Sequence, residues 1–311
     1  MFYQMEQIQY PLVSIVTINF NHSKVTADCL ESLKNITYPN IEIILIDNAS
    51  PTEDASWLKE KYPEVRFIQS EVNLGFAGGN NLGIRKAEGD YILLLNNDTE
   101  VEPDFLEPLV DKCRQNPEVG AVSPKVRYHH TPEMLQYAGY TSINKFTVRN
   151  KAVGFNQIDR GQFDEDAPTY YAIGAAMLLP RHVIEEVGLM SDIFFLYYEE
   201  MDWGYRIRQS GRKIYYVHNS LVWHKESIAT GFDSPLQVYY LNRSRILYMR
   251  RNSRGLSYIA AFFYLLFVSV PKNYFSYFMR KKPELLKAYH RAIAWHLKNA
   301  FNPEIHENPR L

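Results

Sequence analysis

The chain has 311 residues, 46% apolar and 22% charged, which is enough to bury one large core and too apolar for a disordered chain. The formal charge is −1, yet Arg243 to Leu311 holds 13 Lys or Arg against 3 Asp or Glu, leaving 21 basic and 32 acidic groups elsewhere. That asymmetry points the C-terminal segment toward a polyanionic surface, and two cysteines, Cys29 and Cys113, exclude a disulfide framework.

No charged-then-apolar leader precedes the first apolar run at Leu12 to Ile18, so the expected compartment is the cytoplasm, peripheral at the inner face of the cell membrane at most. Val13 to Phe20 (VSIVTINF) and Ile41 to Ile46 (IEIILI) are β-branched apolar runs and predict strands, with Val25, Cys29, Leu30 and Leu33 at helical spacing between them. The alternation continues through VRFIQS at Val65, a helix after Phe76, and YILLLNND from Tyr91, whose unbroken apolar core marks a strand covered on both faces. The first half therefore predicts an open, mostly parallel α/β sheet flanked by helices, with ligands gathered at the carboxyl ends of the strands. Asn19 to Asn21, Asp47 to Ser50 and Asn96 to Thr99 all fall at that rim. Further on, GAAMLLP (Gly174 to Pro180) predicts a buried strand, RHVIEEVG a short helix stopped by Gly188, and EEMDWGYRIRQSG a helix from about Glu199 to Gly211.

Several stretches carry chemistry, each with a plain structural alternative. In NLGFAGGNNLG, Asn73 to Gly83, the residues Gly75, Gly78 and Gly79 permit a ligand close to the backbone, while Asn80 and Asn81 offer donors and acceptors at a helix start; the alternative is helix packing. The run has neither the G-K-[ST] of a phosphate loop nor G-x-G-x-x-G spacing. Asp98, just past an apolar strand, suits a hard cation bridging to phosphate, or an Asx turn before a helix at Pro103. Asp47 suits hydrogen bonds from a nucleobase imide or ribose hydroxyl, or a turn. Glu199, Glu200 and Asp202 favour a helix dipole on their own account, but the aromatic cluster Phe194, Phe195, Tyr197 and Tyr198 before them would raise a carboxyl toward general-base range. Arg206, four residues after Asp202, has ordinary ion-pair spacing, and His224 ends an apolar strand as a packed side chain or a ligand.

Taken in order, VSIVTINFN, IEIILIDNAS, NLGFAGGNNLGI, GDYILLLNNDTEV, GAAMLLPR, YYEEMDWGYRIRQSG and VWHKES resemble the family 2 glycosyltransferases of the GT-A fold, especially their rhamnosyltransferase-like branch, over about residues 10 to 250. The resemblance implies a nucleotide-diphospho-sugar donor, a divalent cation (Mn²⁺ or Mg²⁺), and inverting transfer to a hydroxyl of a saccharide or lipid-linked saccharide. The branch suggests dTDP-rhamnose, with UDP-hexose or UDP-galactofuranose as alternatives. By position it implies Thr17, Asn19 and Asp47 at the nucleoside, and Asn73, Asn80 and Asn81 in the stretch that closes over the nucleotide. Asn96, Asn97 and Asp98 match an acidic metal triplet in which Asp98 is here the single anion and Asn97 lies by the donor. His224 matches a metal-binding His in the same W-H context. The pair Glu199-Glu200 matches the family's acidic pair, which makes Glu200 the implied base, with Asp202 in reserve. Two Asn in the triplet keep a non-catalytic nucleotide-sugar-binding scaffold as the alternative.

Leu256 to Val270 (LSYIAAFFYLLFVSV) is a 15-residue apolar run flanked by Arg250, Arg251, Arg254, Arg280, Lys281 and Lys282. As a helix it spans about 22 Å, short of the roughly 30 Å hydrocarbon core, so it is expected to lie in an anionic membrane interface, or to pack on the catalytic domain or in a homodimer. The implied division is 1–250 for the transferase domain and 251–311 for a helical basic and apolar tail. An apolar run interrupts the basic residues and no recognition motif accompanies them, so no nucleic-acid partner is expected.

Overall fold

A computed structural model describes residues 10–225 and 233–311. Glu226 and Ser227, the end of the VWHKES motif, lie outside the described residues. The first half runs β1 (Val13–Asn19), α1 (Ser23–Leu33), β2 (Ile41–Asp47), α2 (Trp57–Lys61), β3 (Arg66–Gln69), α3 (Gly75–Lys86), β4 (Tyr91–Leu95), β5 (Thr99–Val101), α4 (Leu106–Gln115) and β6 (Val119–Tyr128). Then come β7 (Met134–Tyr137), β8 (Gln157–Ile158), β9 (Ala167–Pro168), β10 (Ala176–Pro180), α5 (Arg181–Val187), α6 (Glu199–Gln209) and β11 (Lys213–His224). The chain closes with α7 (Pro235–Asn252), α8 (Gly255–Tyr264), α9 (Val270–Met279) and α10 (Pro283–Lys298).

The main sheet has the order β3-β2-β1-β4-β10-β6-β11-β5. Strands β1 to β4 pair in parallel, as the unbroken apolar runs predict, but β10 lies antiparallel between β4 and β6, and β5 antiparallel to β11. The sheet is therefore mixed. Because β10 and β5 run backwards, their first residues join the carboxyl ends of β1, β2, β4, β6 and β11 at one rim. That rim collects Asn19, Asp47, Asn96 to Asp98, the segment before Ala176, and His224.

Alternate residues of each strand serve opposite layers. Ile15, Leu45 and Leu93 pack with Leu30 of α1, Leu58 of α2 and Leu109 of α4. Val16, Ile44 and Leu94 pack with Ile84 of α3, Ile184 of α5 and Trp203 of α6. Two covered faces explain why these strands carry no polar alternation.

The glycine-rich run is helical throughout: α3 begins at Gly75, so Asn80 and Asn81 lie in its second turn and not at its start. A Cβ at Gly83 would collide with Cγ1 of Val16, and one at Gly79 would come 2.9 Å from Cδ1 of Ile18. The glycines thus let α3 lie against β1, which is the packing alternative and not the ligand-approach one. Gly83→Ala would gain about 1 kcal/mol of helix propensity and lose about 1–3 kcal/mol to overpacking. A lowered urea midpoint with an unchanged m-value is the expected result; a raised midpoint would show that α3 can move off the strand.

The C-terminal helices pack against the rest of the chain. A boundary at 250 falls inside α7, whose Ile246 to Met249 pack with Phe194, Tyr198, Ala261 and Ile305. Beyond α10, the backbone returns to the α/β layer, where Leu189 N donates to Pro309 O at 2.9 Å. Through a π-helical turn at Leu265–Ser269, α8 and α9 form one helix from Gly255 to Met279, 25 residues whose most apolar 18-residue stretch has a mean hydropathy of 1.5 and is 11% buried. The turn absorbs the missing N–H of Pro271, so the helix outruns the 15-residue apolar run and reaches about 37 Å. By length and composition it can cross a bilayer, which the short run alone does not suggest.

Several flanking cations are engaged with carboxylates or carbonyls. Arg251 pairs with Asp202 at 2.8 Å, Arg250 donates to Asn299 O and Ala300 O at 2.9 and 2.8 Å, and Arg280 and Lys282 both pair with Asp233. Arg254, Lys272 and Lys281 remain exposed.

Candidate active site

Asp98 leaves the rim immediately before β5, and His224 ends β11 in register with Thr99. The antiparallel pairing of those two strands brings His224 Nε2 to 3.0 Å from Asp98 Oδ1. The other ring nitrogen, Nδ1, lies 2.7 Å from Gln136 Oε1 on β7, which places its proton there and leaves Nε2 as the nitrogen a ligand would meet. Burial opposes the charge of Asp98, but His224 and then Lys225 outweigh it and hold the carboxyl below its usual value. Lys225 is itself paired with Asp28 at 2.6 Å and Glu100 at 2.8 Å. Among the described residues no third Asp, Glu, His or Cys joins this pair.

A polar chain runs along the rim from the same place. Asn97 Nδ2 donates to Thr26 Oγ1 at 2.9 Å, Thr26 donates to Asn19 Oδ1 at 2.8 Å, and Asn19 Nδ2 donates to Asp47 Oδ1 at 2.8 Å. Asp47 also accepts from Ser50 Oγ at 2.6 Å, Ser50 N at 3.2 Å and Gln69 Nε2 at 2.7 Å. With four donors aimed at it and 3% exposure, a nucleobase reaching Asp47 would have to displace one of them.

The structure moves other sequence-predicted contacts inside the fold. Thr17 is fully buried, its hydroxyl without a partner among the described residues. Asn80 donates back to Phe76 O at 3.0 Å, and Asn81 is spent on Met190, whose O accepts at 2.9 Å and whose N donates at 3.1 Å, and on Asp192. These three, with Asn19, belong to the scaffold because their polar atoms are consumed or sealed, and a ligand cannot reach them without rearrangement. Asn73 stays exposed, its Oδ1 accepting from Gly75 N at 2.8 Å, and Asn97 stays half-buried. Asn48, within the strand-end stretch Asp47 to Ser50, clamps this loop by accepting from Leu74 N at 2.9 Å and donating to Gly75 O at 3.1 Å.

The acidic pair is delivered by an unusual loop. Phe195, Tyr197 and Tyr198 have φ of 64°, 65° and 72°, a left-handed backbone that costs about 1–3 kcal/mol per residue and needs outside support. Support comes from Phe76 N donating to Phe195 O at 2.7 Å, Ser244 Oγ donating to Leu196 O at 2.9 Å, and Tyr198 OH donating to Val148 O at 3.1 Å. Gly75, φ 71°, faces Phe195 so closely that no side chain fits there.

This loop sets Glu199 and Glu200 at the head of α6. Burial pushes Glu200 up to about 7, and its charge reaches Tyr140, Tyr171 and Tyr198. Glu200 keeps part of its surface open, whereas Glu199 is 2% exposed, driven well above its usual value by burial and by Glu200, with Oε2 unpartnered. Tyr171 and Tyr140 stack at 4.1 Å, just ahead of Ala175, whose O accepts from Asn96 N at 2.9 Å. That bond ties the Glu200 surroundings to the same rim as Asp98.

Asp202, the reserve base, is corrected by its surroundings. It is fully buried and takes Arg206 Nε at 3.1 Å, Arg251 Nε at 2.8 Å and Asn252 Nδ2 at 2.9 Å. Burial opposes its charge, yet the two guanidiniums hold the carboxyl below its usual value. It has no open oxygen for an incoming hydroxyl and serves as an ionic anchor between α6 and α7. Gln136, Tyr140 and Tyr171 went unmarked in the sequence, since they reach the site through β7 and the arm after it, where no motif or periodicity singles them out.

Comparison with known proteins identifies the family. Residues 14–188 match the glycosyl transferase family 2 model, which is more than half of the chain. The low-salt glycan biosynthesis hexosyltransferase Agl10 of Haloferax volcanii is 26% identical over 256 residues, 78% of this chain and 77% of that protein. The N-acetylglucosaminyl-diphospho-decaprenol L-rhamnosyltransferase of Mycobacterium tuberculosis is 22% identical over 264 residues, 78% of this chain and 86% of that protein. Among solved structures, the mannosyltransferase PcManGT of Pyrobaculum calidifontis, in complex with GDP-Man and Mn²⁺, has a TM-score of 0.58 at 15% identity over 96% of this chain and 78% of that one. The sugars in these names differ, so no single donor follows from them. A match of that length places the chain in glycosyl transferase family 2, and it is a nucleotide-sugar-dependent glycosyltransferase of the GT-A type.

Proposed function

We propose that the protein is an inverting, metal-dependent hexosyltransferase that moves a sugar, rhamnose from dTDP-rhamnose in the first instance, to a hydroxyl of a saccharide or lipid-linked saccharide. One observation carries the reading: Asp98 and His224 form a carboxylate–imidazole pair at the strand-end rim, and Glu200, half-buried at the head of α6, is pushed by burial up to about 7 as the proposed base. The relatives named as a hexosyltransferase and an L-rhamnosyltransferase support the sugar class.

The donor set at Asp98 and His224 suits Mn²⁺ or Mg²⁺, because it joins one ionised carboxylate to an imidazole nitrogen freed by Gln136, leaving further positions for diphosphate oxygens. A cation held there would offset the charge that develops on the departing nucleoside diphosphate. Glu200 accepts the proton of the acceptor hydroxyl, and that oxygen attacks the sugar on the face opposite the leaving group. Asn97 and Asn73, the open amides of the rim, contact the donor, while Asn19, Asp47 and Gln69 hold the rim in shape.

Calorimetric titration with dTDP and UDP, with and without Mn²⁺, tests this. Tighter nucleotide binding with Mn²⁺ is expected, with the Mn²⁺ increment lost in His224→Ala and metal affinity lowered about 10–100-fold in Gln136→Ala. Absence of nucleotide affinity would sink the reading, and affinity without donor hydrolysis would favour a scaffold.

A further inference from the structure

The helix from Gly255 to Met279 has two faces. Tyr258, Ala261 and Leu265 pack with Ile246 and Met249 of α7, and Ser269 accepts from Arg245 of α7 at 2.8 Å. Val270, Tyr274 and Tyr277 pack with Val238 of α7 and with Leu285 and Tyr289 of α10. These contacts recur at helical spacing over the whole length of the helix. The other face carries Leu256, Phe263, Phe267, Phe275 and Phe278, each more than half exposed. So continuous an apolar face marks a docking surface.

Its neighbours decide how it meets a partner. Because α7 packs beside both halves of the helix and α10 beside α9, a helix crossing a bilayer would carry them into the hydrocarbon too. Helix α10 exposes Glu284, Lys287, Arg291 and Lys298, and charges at that depth are strongly disfavoured. The arrangement suits a helix lying in the plane of an interface and not one that spans. Charge then selects the partner. Arg254, Lys272 and Lys281 are exposed on or beside the helix, and no Asp or Glu occurs between Arg254 and Lys282. A second copy docked face to face would set these cations against their own equivalents with no carboxylate on the helix to meet them. Anionic headgroups meet them instead, while the phenylalanines enter the acyl boundary.

We propose that this face docks the protein on an anionic bilayer surface, with the helix flat in the interface and its apolar side about 5–10 Å deep. Helix α7 links the docked face to the catalytic layer: Ser244 donates to Leu196 O at 2.9 Å, and Tyr240 stacks on Phe195 at 4.9 Å. Docking therefore fixes how the loop before α6 stands relative to the bilayer. The docking rests on the surface of the C-terminal helices and stands independently of the transferase reading.

The test is co-sedimentation of the full chain with phosphatidylcholine vesicles, with and without phosphatidylglycerol. Three cations at an anionic surface give about a hundredfold tighter binding to the vesicles with phosphatidylglycerol at low salt. Phe267→Asp with Phe278→Asp should reduce binding to background, and Lys272→Glu with Lys281→Glu should remove the preference for phosphatidylglycerol. All four positions are exposed, so the thermal midpoint should hold in both variants. Nitroxide labels on Leu256→Cys, Phe267→Cys and Phe278→Cys should report one shallow depth along the bound helix, the native Cys29 and Cys113 being buried. A label at position 267 much deeper than those at 256 and 278 would show a crossing helix and overturn the proposal. Equal binding to the two vesicle types, or binding that survives Phe267→Asp with Phe278→Asp, would overturn it as well. A dimer in sedimentation velocity that Phe267→Asp dissolves and vesicles leave intact would assign the face to a second copy instead.

Discussion

Glu200→Gln is expected to lower sugar transfer by about 10²- to 10⁴-fold while leaving donor affinity unchanged, the usual loss when a positioned general base can no longer take a proton. The substitution keeps the shape of the side chain at the head of α6 and exchanges one carboxylate oxygen for an NH2 group, so a folding defect is not the expected cause. The wild-type pH profile gives an independent check. Burial raises Glu200 from 4.5 to about 7, so the ionised, proton-accepting form grows as pH rises through about 7, and transfer should rise with it. The sign for stability is opposite. A carboxyl with a raised folded pKa binds its proton more tightly in the folded state, so ionising it between pH 4.5 and about 7 weakens the fold. Glu200→Gln removes that effect, and the variant should unfold no more easily than the wild type at pH 8. Turnover near the wild-type rate, or a rate independent of pH across this window, would remove Glu200 from the mechanism.

Asp202→Ala is expected to destabilise the fold by about 3–5 kcal/mol, because it leaves Arg206 and Arg251 as uncompensated buried charges. The magnitude is large since Asp202 is fully buried and tethers two parts of the chain, with Arg251 bound to it at 2.8 Å from the end of α7. The carboxyl lies below its usual value of 3.8 in the folded state, so its contribution is present above pH 3.8 and lost as pH falls through the lower folded value. The difference in urea midpoint between wild type and variant should therefore be full at pH 7 and shrink in strong acid. A variant of native stability whose transfer is abolished would return Asp202 to the chemistry and refute the anchor.

The parallel α/β half was legible in the sequence because its signal is local. Val13 to Phe20, Ile41 to Ile46 and the strand from Tyr91 are covered on both faces, so apolar residues dominate without polar alternation and the run marks a strand by itself. Strand ends carry Asn19, Asp47 and Asp98 for an equally local reason: the backbone must turn there, and short polar side chains serve the turn and the site alike. Glu200 was marked by the four aromatic residues before it, three of which, Phe195, Tyr197 and Tyr198, the structure places in a left-handed loop that packs against α7. The mixed sense of the sheet was not legible, since an antiparallel β10 buried on both faces reads the same as a parallel one.

Composition and periodicity set, from the sequence alone, the α/β class, the rim of Asn and Asp at strand ends, the aromatic-flanked carboxylates and the long apolar segment near the C-terminus. Tertiary structure decided which polar groups stay open. It brought Asp98 to His224 and Gln136 by pairing β5 with β11 and folding β7 alongside, and it sealed Thr17, Asn80 and Asn81 into the scaffold. It also committed Asp202 to two arginines, one of them 49 residues away in the chain. A side chain's availability depends on the partners that reach it, and partners separated by tens of residues leave no periodic or neighbouring signal in the sequence.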